Sequence, residues 1–491
     1  MIQHLPVLQV LIPLLAAPLC VLLRRPLAAW ACFSLASAAA FACAIALLHT
    51  VSTQGPLNYA MGNWPAPFGI VYVIDAANAW MLVLVAGAAL ATAIYARVSV
   101  AAEIEARRIY LYYACLCLCL TGLLGIVATG DAFNVFVFLE ISSLSSYALI
   151  AMGRHRRALL SAFQYLIVGT IGGTFLLIGI GLAYALTGTL NMADLQARLP
   201  DADNRALVAA LAFVGIGLSI KMALVPLHAW LPGAYSEAPS AASLFLAACG
   251  TKVAVYALLR FLFSAFGVER SFEALPLTEI GLLLGSLAML VGAAMACLQT
   301  DLKRLLAWSS IGQIGYIVAG FSLATPDGLS ASFLHLLNHA VIKAALFALA
   351  GLLLLRLGST RLEALAGLRQ RLPLVFAALL LAGLGLVGMP LTAGFVSKWA
   401  LVQALIAQAQ WAVVAAVLIS SLLAVVYVGR IIEVAWFRPP PAESRPARSA
   451  PLSMQALIWT LVLLSLWLGL DSEAPARLAG GAADALLGGA P

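Results

Sequence analysis

Apolar residues run through this chain in long, nearly unbroken stretches, and polar residues collect in short gaps between them. Read with a window of about 20 residues, the length at which a helix crosses a bilayer, the pattern predicts fourteen transmembrane helices. They begin near Leu5, Leu27, Ile70, Tyr110, Ala132, Ala158, Leu207, Ser240, Ile280, Ala307, Leu329, Leu374, Trp411 and Leu452. Helices are the expected form, because backbone donors and acceptors inside lipid can pair only with one another. No gap is long enough to hold a soluble domain, so the sequence predicts an all-α integral membrane protein.

Composition excludes the other broad classes. With 64% of 491 residues apolar, 10% charged and a mean hydropathy of +1.04, the chain lacks the polar surface of a soluble enzyme, a nucleic-acid binder or a disordered scaffold. Its net charge of +7 is therefore read as a topology signal. Of the 27 Lys and Arg residues, eighteen fall in gaps on one side of the alternating pattern, Lys303 and Arg304 among them. Five fall on the other side, including Arg260, and four (Lys221, Lys252, Lys343 and Lys398) lie inside apolar runs. The richer side is expected to be cytoplasmic, which places both termini on the outer, periplasmic side of a cell (inner) membrane. The first run is followed by Arg24-Arg25 and not preceded by a basic region, so it is expected to be a retained helix. The proline-rich stretch 438–451 reads as an exposed cytoplasmic linker.

Charges inside the runs carry the functional signal, since each costs on the order of 3 kcal/mol at mid-membrane unless it finds a partner or water. Glu140 lies deep in the fifth run, followed by Ser142, Ser143, Ser145 and Ser146. Lys221 and Lys252 sit in the seventh and eighth. A carboxylate close to a buried lysine holds the lysine's proton, and one that withdraws lets it leave. Glu140 and Lys221 are thus a candidate switch, with a static ion pair as the competing reading. Lys252 is a second candidate carrier, or a lysine that snorkels from a helix end. His335, His339 and Lys343 recur at i, i+4 and i+8, which lines them on one helix face over about 12 Å. Imidazole suits proton relay near neutral pH. A zinc site is the weaker reading, because His-Leu-Leu-Asn-His lacks the glutamate that zincin chemistry needs; simple packing histidines are the other. Lys398 closes the set.

Lys221 precedes Pro226 and Lys398 follows Gly388-Met389-Pro390, so each half of the chain puts a lysine beside a helix-breaking proline. Paired interruptions of this kind point to a transport site at the bilayer midplane. Other features take plainer roles. Cys115, Cys117 and Cys119 alternate around a helix and read as packing residues. The glycines from Gly169 to Gly181 read as helix contacts. Asp131, Glu237 and Asp301 sit near predicted helix ends and read as solvated or capping groups, Glu237 being the one with most scope for more.

The string Lys221-Met222-Ala223-Leu224-Val225-Pro226-Leu227-His228-Ala229-Trp230-Leu231-Pro232, with Glu237-Ala238-Pro239, resembles the signature of the antiporter-like subunits shared by respiratory complex I and the Mrp multisubunit cation/proton antiporters. Phe138-Leu139-Glu140, the stretch from Gln299 to Ser310 and the segment from Gly388 to Lys398 match as well. The segments Gly62 to Ile70 and Gly188 to Leu195 are similar to the D-type branch of the Mrp subunits. The early end of the chain after the fourteenth helix, and lysine at position 398, fit that branch too. The resemblance implies fourteen helices with two inverted five-helix repeats, each containing a discontinuous helix. It implies residues 1–109 for helices one to three, 110–264 and 265–437 for the repeats, and 452–491 for the fourteenth helix and tail. It also implies a proton path through Glu140, Lys221, Lys252, His335, His339, Lys343 and Lys398.

The function expected is that of a proton-translocating subunit in a multisubunit Na+/H+ antiporter. It would work with other hydrophobic subunits and the lipid bilayer, without cofactor, metal or nucleic acid, and it would not be an enzyme in its own right. The alternative keeps the fold but couples the proton path to a complex I-like or membrane hydrogenase redox assembly. A lone twelve-helix carrier would need a ligand cavity, and a membrane metalloprotease the missing glutamate; the sequence offers neither.

Overall fold

The computed structural model of the chain describes residues 2–201, 204–440 and 449–488. Nearly all of the regular structure is helical. The first helices are α1 (Leu5–Leu23), α2 (Pro26–Gln54), α3 (Ala76–Glu103), α4 (Ile109–Ala128), α5 (Ala132–Ala151) and α6 (Arg156–Thr187). After the short α7 (Met192–Arg198) come α8 (Arg205–Met222) and its continuation α9 (Leu231–Glu237). Then follow α10 (Ser240–Ala265), α11 (Leu277–Leu298), α12 (Leu302–Phe321) and α13 (Pro326–Leu357). The rest are α14 (Pro373–Val387), α15 (Ala393–Ala407), α16 (Trp411–Phe437), α17 (Leu452–Leu470) and α18 (Glu473–Leu487).

Among the described residues, twelve helices are long and apolar enough to cross a membrane. α12, twenty residues and almost wholly buried, and the pair of half-helices α14 and α15 supply the other two crossings. Fourteen crossings result, two of them broken. The first break follows Met222, where Ala223 turns left-handed at φ 59° and the chain runs without helix to Trp230. The second follows Val387 at Gly388, φ 88°. Pro226 and Pro390 lie in these breaks, where a missing N–H costs nothing.

The same chain crossing occurs twice. Asp131 caps α5 through the Asn134 amide and pairs with Asn191 across a short bridge; Asp301 caps α12 through the Arg304 amide and pairs with Arg361. Both pairs are separated by the same 60 positions, 131 to 191 and 301 to 361. Each cap is worth about 1 kcal/mol. From the start of α5 to the start of α12 the chain crosses five times, so the two caps lie at opposite membrane faces.

Three sequence expectations change. The third crossing begins at Ala76 and not near Ile70, because Val71–Ile74 forms a strand (β2) that pairs antiparallel with Leu57–Ala60 (β1). Four apolar residues ending at a capping aspartate look like the start of a membrane run but suffice for a hairpin. Arg260 is not in a loop: it is buried near the end of α10 against Asp75. Lys303, also expected in a loop, is 3% exposed and donates to the Ala238 carbonyl. Both errors come from reading charges at run ends as solvated. Arg445 and Arg448, with most of the expected linker, lie outside the described residues.

Candidate functional site

Glu140 is the ninth residue of α5 and projects toward α6, where Gly173 leaves room: a Cβ there would collide with Glu140 Oε1. Lys221 lies at the end of α8, just before the break. Its ammonium donates to Ser143 Oγ at 2.8 Å and lies 3.6 Å from Glu140 Oε1. The serine therefore holds the cation while the carboxylate stands slightly off, beyond a tight charge-assisted bond. Glu140 keeps 26% of its side chain exposed, against 5% for Lys221.

Beyond Lys221 a cavity of about 40 Å³ is lined by Ser142, Ser143, Tyr165, Trp230, Tyr235 and Gly250, among others. Ser142, Ser143, Ser146 and Lys221 give a mainly apolar wall the polar atoms that a water needs. Tyr165 and Trp230 stack at 3.8 Å between ring centroids and form part of its wall. Gly250 closes a π-helical turn, Leu246–Gly250, immediately before Lys252. Lys252 is fully buried and donates to the Ala247 carbonyl of that turn at 2.5 Å. The snorkelling reading is thereby excluded, since the lysine sits midway along α10.

α13 packs against this part of α10 and presents the expected face. Lys343 donates to the Leu306 carbonyl at 2.9 Å and to Ser309 Oγ, both on α12. His339 is buried with neither ring nitrogen partnered among the described residues, and its ring stacks near His335 with centroids 6.2 Å apart. His335 Nε2 lies 2.9 Å from Gln313 Oε1, and Nδ1 lies 2.9 Å from Ser397 Oγ. Ser397 directly precedes Lys398. The Lys398 ammonium donates to the Val387 carbonyl at 2.8 Å and the Leu386 carbonyl at 3.3 Å, at the C-terminal end of α14. Carbonyls freed where a helix breaks are natural partners for a cation. Tyr316 bridges the two groups, its ring 5.2 Å from His335 and 4.9 Å beneath the Lys398 ammonium.

All seven sequence candidates thus lie on α5, α8, α10, α13 and α15. Serine or glutamine side chains meet Lys221, His335 and Lys343, backbone carbonyls hold Lys252 and Lys398, and His339 has no ring partner among the described residues. The sequence did not single out Gln313, Tyr316, Ser309 or Ser397. A lone hydroxyl or amide in an apolar helix is common; only the bond that each makes to a charged neighbour marks it. Among the described residues no group of three His, Cys, Asp or Glu side chains comes close enough to hold a metal.

A family model described as NADH:quinone oxidoreductase/Mrp antiporter, transmembrane, matches residues 129–424. The chain belongs to this family. The matched region opens at the Asp131 crossing and takes in all seven candidates. The chain is 41% identical over 489 residues to the N-type subunit of the NADH-quinone oxidoreductase of Desulforudis audaxviator, covering 96% of this chain and 97% of that protein. It is 30% identical over 483 residues to the D-type subunit of the Na(+)/H(+) antiporter of Bacillus subtilis, at 98% and 97% coverage. Among solved structures, a chain of the Mrp complex from Dietzia superposes with a TM-score of 0.90 at 29% identity, covering 99% of this chain and 97% of that one. This member of the antiporter family is a multi-pass membrane protein, and these relatives come from multisubunit assemblies.

Proposed function

We propose that this chain is the proton-translocating subunit of a multisubunit monovalent cation/proton antiporter, set in the cell membrane with its Lys/Arg-rich face toward the cytoplasm. The observation that carries the reading is the Glu140–Lys221 pair at the first helix break: a buried ammonium held by a serine with its carboxylate 3.6 Å away. A proton is held at Lys221 while Glu140 is near. It passes through water in the adjoining cavity to Lys252 when Glu140 turns away. From there His339, Lys343 and His335 relay it along α13, and Tyr316 and Ser397 bring it to Lys398 at the second break. Glu140, partly exposed at mid-membrane, needs a covering neighbour, since a carboxylate facing lipid is unfavourable. A further hydrophobic subunit is the natural cover, and the transported ion, Na+ in the first instance, crosses within that assembly.

The test is exchange in proteoliposomes containing the purified complex. Glu140→Gln and Lys221→Ala are expected to lower proton-coupled Na+ exchange on the order of 100-fold, the range for losing a positioned proton-transfer group. Unchanged exchange in both variants would sink the proposal. The 41% identity to a protein named as an NADH-quinone oxidoreductase subunit favours one second reading: the same path driven by a redox assembly. Co-purifying flavin or iron–sulfur absorbance would select it, and small hydrophobic partners with a featureless spectrum would select the antiporter.

A further inference from the structure

We propose that the chain has a second proton access route, leading from the face at which α3 begins down to Lys252 and gated by the Asp75–Arg260 ion pair. This route rests on the relay role given to Lys252 above.

Four observations converge on it. First, a cavity of about 500 Å³ lies on that face, with Asn58, Thr129, Asn191, Gln196, Arg260 and Ser264 set among apolar wall residues. Second, Arg260 lines it and reaches in three directions. Its Nη2 pairs with Asp75 Oδ2 at 2.5 Å, its Nε donates to the Tyr256 hydroxyl at 2.6 Å, and its Nη1 donates to Ser264 Oγ at 3.3 Å. Third, Tyr256 and Lys252 follow at one-turn intervals on the same face of α10, so the column from Arg260 to Lys252 is about 12 Å long. Fourth, the segment Thr251–Leu259 is flanked by π-helical turns on both sides, Leu246–Gly250 and Arg260–Ala265. Such turns are rare and frequently mark functional sites.

A structural staple between α3 and α10 would need only the ion pair. It would not need a cavity with six polar residues in its wall, a tyrosine hydroxyl below and two widened turns around it. The Asp75 carboxylate is itself divided between two tasks: Oδ1 accepts from the Ala77 and Asn78 amides and caps α3, while Oδ2 meets Arg260. The second oxygen is therefore free to change partner without loss of the cap.

The Tyr256 hydroxyl donates to the Val127 carbonyl at 3.2 Å; in the proposed step it turns from that carbonyl to Asp75 Oδ2 and passes its proton there, as its oxygen takes one from the Lys252 ammonium directly or through one water. The neutral acid no longer holds Arg260, whose guanidinium swings into the cavity. Water entering behind it takes the proton and restores the carboxylate. One proton leaves for the cavity; Tyr256, Asp75 and Arg260 return to their starting states, and Lys252 is left as a neutral amine until the relay on α13 protonates it again. The guanidinium never loses its charge; it acts as the plug.

The experiment compares Tyr256→Phe, Asp75→Asn and Lys252→Ala in the full complex in proteoliposomes. Both the exchange rate and its dependence on the pH of the compartment facing Asp75 are measured. Tyr256→Phe keeps the ring, the cap and the ion pair. It is expected to slow exchange about tenfold and to flatten the response to that compartment's pH while assembly stays normal. A packing role would leave the response unchanged. Asp75→Asn keeps the capping oxygen and is expected to flatten the same response; if it fails to assemble, Tyr256→Phe decides alone. Normal rate and normal pH response in Tyr256→Phe, with Lys252→Ala inactive, overturn the second route and leave the main proposal standing. Normal exchange in Lys252→Ala overturns both.

Discussion

The two halves of the membrane domain build the same frame and place charge in it differently. Positions 170 apart correspond at both crossings, Asp131 with Asp301 and Asn191 with Arg361. Carried through the intervening helices, that offset sets Glu140 beside Ser310, Tyr165 beside His335, Gly169 beside His339 and Gly173 beside Lys343. In the first half α5 supplies a carboxylate and α6 a glycine that makes way for it. In the second half the small hydroxyl residues are on α12, and α13 supplies the long cationic side chain that reaches across to Ser309. Lys221 in the first half is therefore held beside a negative partner, and Lys343 in the second by one carbonyl and one hydroxyl alone. A proton on Lys221 can be retained or released by moving a neighbour. On Lys343 no carboxylate stands ready to move, which on the proposed path suits that half to passing protons rather than storing them.

The contrast is most directly broken at Lys343. Lys343→Met fills the same space and removes the cation, and exchange in the assembled complex is expected to fall on the order of 100-fold. A rate near wild type would mean that the second half does not carry protons. Gly173→Ala tests the first half from the side of the glycine. The new methyl would collide with Glu140 Oε1 and push the carboxylate aside, and a displacement of that kind is expected to lower exchange about tenfold. Ser310, the matching residue of the other half, is fully buried and donates to the Leu306 carbonyl; Ser310→Ala is expected to leave exchange within about twofold, because it removes one neutral hydrogen bond.

The helix breaks give the smallest effects. Gly388→Ala forces a left-handed alanine, costing about 1 to 2 kcal/mol, and its methyl would press the Lys398 side chain at 3.0 Å. A lowered thermal midpoint is the expected reading. Ala223 already occupies the equivalent turn at φ 59°. Ala223→Gly relieves that strain but adds freedom to the unfolded chain, each about 1 kcal/mol, so its midpoint should stay close to that of the unaltered chain. A clear rise would show that the strain at Ala223 is stored and not offset.

Much of this arrangement is legible in the sequence because ionisable residues are so rare in apolar runs that Glu140, Lys221, Lys252, Lys343 and Lys398 announce themselves. The histidine face follows from helical spacing. Neutral partners such as Gln313 and Tyr316 have no such contrast with their surroundings. Arg260 and Lys303 were misplaced for a different reason. They lie within a turn or two of a helix end, where sequence alone cannot separate a solvated charge from one folded back into the protein. Arg260 has its partner 185 positions away, at Asp75, and no local pattern encodes that. The hairpin was hidden because its second strand, Val71–Ile74, is as apolar as the helix that follows it.

The π-helical turn at Leu246–Gly250 has a consequence for how α10 can vary. Each residue of an α-helix advances the azimuth by about 100°, and a π turn contains one residue more than the α turn that it replaces. The chain from Thr251 onward is thus out of phase with Ser240–Phe245 by roughly that angle. A helical wheel drawn through α10 as one regular helix will misplace Lys252, Tyr256 and Arg260 together. Losing a single alanine, Ala247 or Ala248, would leave hydropathy and length almost untouched yet swing the three polar side chains toward a different neighbour. For α10, residue count is a stricter constraint than residue identity.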